Sequence, residues 1–563
     1  MSDRNRISRR DFLKLSSLAA FALPLTTKVG QLGNYDLLES KEKFGGFTIK
    51  TLKDGDPPLF EFSPDYTRFD ATNAILSRIW WDNEFNEKAD ATETVYEKND
   101  PGYTQVDKAL SAGAAFVAMY EGTDSSIGYL GKHDGLMGLD PKANAPGQGP
   151  SFEGRWDHDH LTSEEVTAIV KKASLFLGAS LVGITDLNEK WLYSHYYDGF
   201  SQTRAPIKIT KVEKVELPAG QVSPDEARQL IKAELEKMDG QELKDLLVDV
   251  LENIDSSLLP SSAPSPSFVK AVPVSKFEGQ EGQLVANLPK FALGMIAEKL
   301  GLDIEIAEVD PGESAKPRYL EDGTLAIPET MNKVIVLAFE EDFDGIEAAP
   351  THLTVAITQD AYSKMAITGG SLAQFIRKLG YNAIPCGNNT GINVPMAVEA
   401  GLGENGRSGM LITPKYGPRV RIAKVITDMP LVNDKPIKFG VEEFCKACKK
   451  CAELCPSQAI SYEDKTMEAA NMSSNSGVLK WSSNPEKCWE SWVANGSGCG
   501  VCIRVCPFNK PESWLHDVTR IMIGAESGSI DKLLVNLDDA GGYGKKEPNM
   551  IFWESDKFIH IKD

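Results

Sequence analysis

Eight cysteines crowded into residues 445–506 constrain this chain more than any other feature, because their spacing fixes what they can hold. The first run reads CKACKKCAELCP, with Cys445, Cys448, Cys451 and Cys455 followed by Pro456. The second begins at Cys488, skips ten residues, and continues as CGVCIRVCP with Cys499, Cys502 and Cys506 followed by Pro507. A C-x2-C-x2-C-x3-C-P run wraps three thiolates around one corner of a cubane iron-sulfur cluster and sends its fourth cysteine to a neighbouring cluster. The spacing therefore assigns Cys445, Cys448, Cys451 and Cys506 to one 4Fe-4S cluster, and Cys488, Cys499, Cys502 and Cys455 to a second. The gap after Cys488 is wider than the usual two residues. Disulfides or a zinc ribbon would account for C-x2-C pairs but not for the same C-P ending used twice. The ninth cysteine, Cys386, stands alone and reads as a small buried side chain.

Such clusters move single electrons and make no bonds themselves, so the roughly 440 residues upstream must use the electrons. The chain has 563 residues, 42% of them hydrophobic, enough for more than one core. With 60 Lys+Arg against 81 Asp+Glu, its formal charge of -21 argues against a nucleic-acid partner.

The N-terminus reads as an address. Ser8-Arg9-Arg10-Asp11-Phe12-Leu13-Lys14 fits the twin-arginine export pattern, and the apolar segment 15–25 that follows is too short for a stable membrane anchor. Ala20-Phe21-Ala22 is a candidate cleavage site. Twin-arginine export suits a protein that crosses the membrane folded and already loaded with cofactor. After this segment no apolar run is long enough to span a bilayer, so membrane attachment would come through another protein.

Between residues 178 and 427 strand-like and helical patterns alternate, an α/β signature. Residues 181–185, 333–340 and 353–358 read as strands; 289–300 and 362–379 read as helices, the first with a proline in its opening turn. From Ser223 the sequence SPDEARQLIKAELEKM predicts an amphipathic helix, capped by Ser223, with Pro224 first, Glu226 three residues after the cap, and Ala227, Leu230 and Ile231 on one face. Residues 243–254 continue the theme, and the Ser/Pro-rich stretch 256–268 reads as a linker. Nucleotide-binding glycine loops and H-E-x-x-H pairs do not occur. Asp157-His158-Asp159-His160 precedes a capping box at Thr162–Glu165 and reads as a solvated loop.

Taken together, the twin-arginine signal and the stretches 377–432 (containing CGNNTG and GENGRSG), 443–460 and 492–510 resemble the corrinoid-dependent respiratory reductive dehalogenases. The resemblance implies an α/β (α+β), nitroreductase-like cobalamin-binding core with a C-terminal bacterial-ferredoxin-like two-cluster module. It divides the chain into a signal peptide (1–30), an N-terminal region packing on the core (31–177), the catalytic core (178–435, with 255–275 a loop), the ferredoxin-like domain (436–515) and a C-terminal extension (516–563).

Cobalamin would be bound base-off with no histidine on cobalt, which agrees with the missing D-x-H-x-x-G motif. Electrons would reach cobalt through the two 4Fe-4S clusters, and an organohalide would lose halide. The resemblance also places a proton-donating tyrosine at Tyr362, with Asn388 close by and a cationic partner at Arg421; Arg419 on the same strand face, or Lys424 on the opposite one, are alternatives for that role. Gly387, Asn389, Gly391, Gly401, Gly403, Gly406 and Trp492 are the expected cofactor-side residues. Implied partners are a small halogenated organic substrate, a small integral-membrane anchor protein and an upstream electron donor, on the outer face of the cytoplasmic membrane; a homodimer is left open. Two other readings stand beside this one: an epoxyqueuosine-reductase-like enzyme and a non-catalytic two-cluster electron-transfer subunit.

Overall fold

The computed structural model describes residues 49–510 apart from 54–55, 92–99, 122–136, 140–155, 157–160, 200, 213–220, 223, 254–268, 271–272, 275–289 and 307–312, and near the C-terminus 534–536, 538 and 547–554. The expectations for the signal peptide, for residues 157–160 and for most of the 255–275 loop fall outside the described residues.

A four-stranded sheet forms the centre, in the order Ala383–Cys386, Val420–Thr427, Lys333–Glu340, Leu181–Asp186. Every neighbouring pair is antiparallel. In this central sheet the alternation that read as α/β is therefore α+β in its pairing, with no parallel crossover between its strands. Lys333–Glu340 is apolar throughout its interior because it is covered on both faces. Val334, Val336 and Ala338 enter one core cluster and Ile335, Leu337 and Phe339 the other, all fully buried. Each large aliphatic or aromatic side chain so buried contributes roughly 1.5–3 kcal/mol.

One face of the sheet is covered by the helix His352–Lys378, the other by the short helix Asn393–Glu399 and a second, mixed sheet built from His195–Asp198, Thr203–Thr210, Leu325–Pro328 and Arg318–Tyr319. Residues 353–358, expected as a strand, are the opening turns of that long helix. Leu353, Ala356, Ile357, Ala361, Met365, Leu372, Ala373 and Ile376 are buried along it at spacings of three, four and seven. The helical period is visible only when the window runs past residue 358. Tyr362, expected at a helix head, consequently sits in the interior of the helix. The helix Gln105–Glu121 packs along it, and the Ser363 hydroxyl ties the two together, donating to the Ala114 carbonyl at 2.5 Å and accepting from the Ala118 amide at 3.1 Å.

Pro224–Leu235, Gly240–Asn253 and Lys290–Lys299 form a separate helical cluster around Ile231, Leu235, Leu243, Leu293 and Ile296. Ala227 and Ile231 face inward as expected, whereas Leu230 is 41% exposed. The helix Ser163–Phe176 begins with the anticipated capping box between Thr162 and Glu165. No described helix is long and apolar enough to cross a membrane.

Candidate active site

The cysteine module is wound from short helices, Val441–Cys448, Lys450–Glu453, Pro485–Asn495 and Val501–Arg504. Lys449, left-handed at φ 55°, breaks the chain between the first two and turns it around the thiols, and Gly500 at φ 74° does the same before the last. All eight cysteines carry free thiols. Burial and then the neighbouring thiols Cys445, Cys506, Cys502 and Cys448 push Cys451 well above an ordinary thiol; Cys506 is raised by burial with Cys445 and Cys448. In the same way Cys488, pushed up to about 12, senses Cys499 and Cys455, and Cys502 senses Cys488, Cys499 and Cys455.

The thiols that act on one another fall mainly along the lines the spacing predicts, Cys506 beside Cys445 and Cys448, and Cys455 beside Cys488 and Cys502, while Cys451 also senses Cys502. Buried thiols this crowded resist ionising unless a cationic centre holds them. Among the described residues no three side chains of the metal-binding types converge as they would on a single ion, whereas cubane ligands stand farther apart. The donor set fits two iron-sulfur clusters.

The tyrosine, asparagine and arginine named from the sequence come together beside this module. Asn388, in the turn after Ala383–Cys386, donates its amide to the Tyr362 hydroxyl at 3.0 Å. From the strand Val420–Thr427, the Arg421 guanidinium lies over the Tyr362 ring, 5.6 Å from its centroid. Each of the three keeps partial exposure among buried neighbours, so the group is reachable from solvent. Burial works against the Arg421 charge, but Glu341, Tyr362 and Cys502 outweigh it and hold its pKa above the ordinary arginine value. The Cys502 contribution places the second cluster's ligands within electrostatic reach of Arg421.

Different partners separate the three cations. Arg419 bonds Glu340 at 2.5 Å and the Glu341 carbonyl at 2.9 Å, which turns it away from the tyrosine. Lys424 faces the opposite side of the sheet, where its ammonium donates to the carbonyls of Gly387 (3.0 Å), Asn389 (2.8 Å) and Gly391 (3.2 Å) and to Asn393 Oδ1 (2.6 Å). Of the expected cofactor-side residues, Gly387 and Asn389 contribute these carbonyls. At Gly403 a Cβ would stand 2.1 Å from the Ile412 carbonyl oxygen, at Gly391 2.6 Å from that of Trp191, and at Gly406 2.9 Å from the Ile412 side chain; Gly401 is left-handed at φ 72°. Backbone crowding thus already demands glycine there. Trp492 lies beside the Cys488 thiol. Cys386 is fully buried, as expected, and Lys424 acts on its thiol.

Sequence reading missed Glu341, a fully buried carboxylate 3.1 Å from Arg421 Nε, and Thr358, whose hydroxyl donates to Glu341 Oε1 at 2.8 Å. The signal for Glu341 was an acidic pair, Glu340-Glu341, closing an apolar strand opposite two arginines. Asn393, which bridges Lys424 and Asn388, carried no signal.

A two-cluster electron-transfer module set against an antiparallel α+β core, with a tyrosine, an amide and a guanidinium at their junction, defines an iron-sulfur redox protein. Residues 444–509 match the model of the 4Fe-4S double cluster binding domain. The chain is similar in sequence to reductive dehalogenases. It is 35% identical over 445 residues to a tetrachloroethene reductive dehalogenase of Desulfitobacterium hafniense, covering 75% of this chain and 65% of that relative. It is 45% identical over 233 residues to one of Sulfurospirillum multivorans, covering 41% of this chain and 46% of the relative. The chain thus spans 65% of the length of the first of these relatives. A solved reductive dehalogenase structure, described in terms of B12-dependent dehalogenation, superposes with a TM-score of 0.50 at 18% identity, over 89% of this chain and 50% of that one; it supports the fold.

Proposed function

We propose that the chain is a corrinoid-dependent reductive dehalogenase that removes halogen from a small organohalide as the terminal reductase of organohalide respiration. The observation that carries this reading is the convergence of Tyr362, Asn388 and Arg421 within electrostatic reach of Cys502, which joins a proton source to an electron outlet. The overall change is R–X plus two electrons and one proton to R–H plus X⁻. A base-off cobalamin in the opening would supply the strongly reducing cobalt centre for carbon-halogen cleavage.

The residues present fit such a group. The opening is flanked by donors, the Asn388 amide and the Arg421 guanidinium. Within the site Tyr362 holds the proton at its hydroxyl oxygen. Asn388 fixes the direction of that oxygen, and Arg421, braced by Glu341, stabilises negative charge left on it. Since Cys502 is the thiol that acts on Arg421, Cys455, Cys488, Cys499 and Cys502 would hold the cluster that relays electrons last, and Cys445, Cys448, Cys451 and Cys506 would hold the one that takes them from an upstream donor.

Arg9 and Arg10 support export by the twin-arginine pathway to the outer face of the cytoplasmic membrane, where a small integral-membrane protein would anchor the enzyme. Replacing both with lysine is expected to leave loaded protein in the cytoplasm.

The deciding experiment is anaerobic reconstitution with cobalamin followed by a halide-release screen over chloroethenes, chloroalkanes and chloroaromatics. Halide release dependent on cobalamin and reductant is expected. Full cluster content with no corrinoid binding would favour the electron-transfer subunit instead.

A further inference from the structure

Lys424 is a fully buried cation of the core that the proposed reaction does not use. Its ammonium is fully buried and surrounded by four oxygen acceptors, all from the segment 387–393. An ammonium has only donors, so the atom of Asn393 that meets it at 2.6 Å must be the amide oxygen. The amide nitrogen of Asn393 then points the other way, where its two hydrogens are shared among the carbonyls of Ile422 (2.7 Å) and Gly387 (3.1 Å) and Asn388 Oδ1 (3.1 Å). With its oxygen taken by a donor, Asn388 presents its own nitrogen to Tyr362 at 3.0 Å. Each step leaves the next amide one orientation, because reversing any of them would set two donors or two acceptors face to face.

We propose that Lys424 is a positioning residue for Tyr362: through Asn393 it fixes the amide of Asn388 so that a donor, not an acceptor, meets the phenolic oxygen. The consequence is directional. A phenol that accepts from Asn388 does not spend its own hydrogen on that amide, and a phenolate is met by a donor after the proton leaves. With the amide reversed, the hydroxyl would donate back to Asn388 and the proton would be turned away from the substrate. This rests on the reading of Tyr362 as proton donor. The other charged groups around the phenol are Arg421 from the strand, Glu341 behind it and Cys502 from the cluster module; Cys386 adjoins Lys424, and on the same helix Asp360 is paired with Lys364 at 2.6 Å.

The test uses the full chain carrying both clusters and corrinoid in the oxidised state, labelled with 3-fluorotyrosine, with Tyr362→Phe identifying the resonance. Lys424→Met removes the donor-only group, Lys424→Arg retains one, and Asn388→Asp places an acceptor against the phenol. In Lys424→Met and Asn388→Asp the midpoint of that resonance's titration is expected to rise by about one to two pH units relative to the parent, the size of a lost hydrogen bond to a charged group. In turnover, kcat should fall at least tenfold with KM held within about twofold, and Lys424→Arg should keep the parental midpoint. A folded, iron-replete Lys424→Met with the parental midpoint would overturn the proposal. If Lys424→Met does not fold, Lys424→Gln decides, since it still donates to the carbonyls but offers an oxygen as well: an upward shift supports the proposal and a parental midpoint overturns it. The fluorine titration needs no dehalogenation, so failure to release halide would count against the proposed reaction alone.

Discussion

Asn388 and Tyr362 meet at 3.0 Å across the face of the central sheet, the asparagine from a turn and the tyrosine from the interior of the long helix that covers it. The two residues stand 26 apart in sequence, so the contact needs the helix folded back onto the strand Ala383–Cys386 that leads into the turn. Removing the hydroxyl alone, with Tyr362→Phe, should leave iron and cobalt content unchanged and lower halide release by about 10²- to 10⁴-fold. Rates are to be compared at matched cobalt occupancy, with cobalt reduction followed separately. A loaded, reducible variant within about twofold of the parent would place the proton source elsewhere.

Glu341 is the only carboxylate paired with Arg421 among the described residues, and it is fully buried. Taking away one partner of a buried pair strands the other charge, at a cost of about 3–5 kcal/mol, and the partial exposure of Arg421 places Glu341→Ala toward the lower end. Denaturant midpoints at fixed slope give the number. A loss under about 1 kcal/mol would mean that solvent already supports the guanidinium.

The crossed cysteines make a prediction that proximity in sequence would reverse. Cys455→Ser should reproduce the reduced-state EPR spectrum of Cys499→Ser, and Cys506→Ser that of Cys448→Ser, each with about half the parental iron. If Cys455→Ser matched Cys448→Ser instead, each run would serve its own cluster.

Glu404 offers a pH test of how the module is fastened. Its Oε1 accepts from the amides of Phe439 at 2.6 Å and Val441 at 3.2 Å, yet burial dominates and pushes its carboxyl up to about 7. A folded value above the unfolded one near 4.5 means the folded state binds more protons between the two. This contribution is therefore complete below pH 4.5 and lost as pH rises to 7, on the order of 3 kcal/mol. Between pH 4.5 and 7.5 the parent should lose more thermal stability than Glu404→Gln. An equal or smaller loss in the parent would show that the carboxylate is well solvated.

The cysteine octet was legible because cluster ligation is a local spacing problem, and even its crossover follows from the run itself. The core was legible where a strand is apolar on both faces, as at Lys333–Glu340, and misread at 353–358, where a short apolar run carries no period of its own. Strand alternation told that Arg421 and Lys424 point to opposite faces. It did not tell which face held the tyrosine, since that depends on where the long helix packs. Tyr362, Asn388 and Arg421 were found through family resemblance, and their meeting required tertiary structure. Glu341 showed itself only as half of an acidic pair whose partner strand lies far along the chain, and Asn393 acts only through neighbours that no local pattern points to.

An exchange of Cys455 and Cys506 between clusters, as the spacing predicts, would also order events in time. During synthesis the sheet strands, which end at Thr427, and the whole of the long helix emerge before the first cluster ligand, Cys445. Neither cluster then has its full set of thiols until Cys502 has been made, and the one begun first is completed last, at Cys506. Iron loading is thus a closing clasp: the core must hold its shape unaided until the clasp shuts, and once shut, both ends of the module are released or retained together.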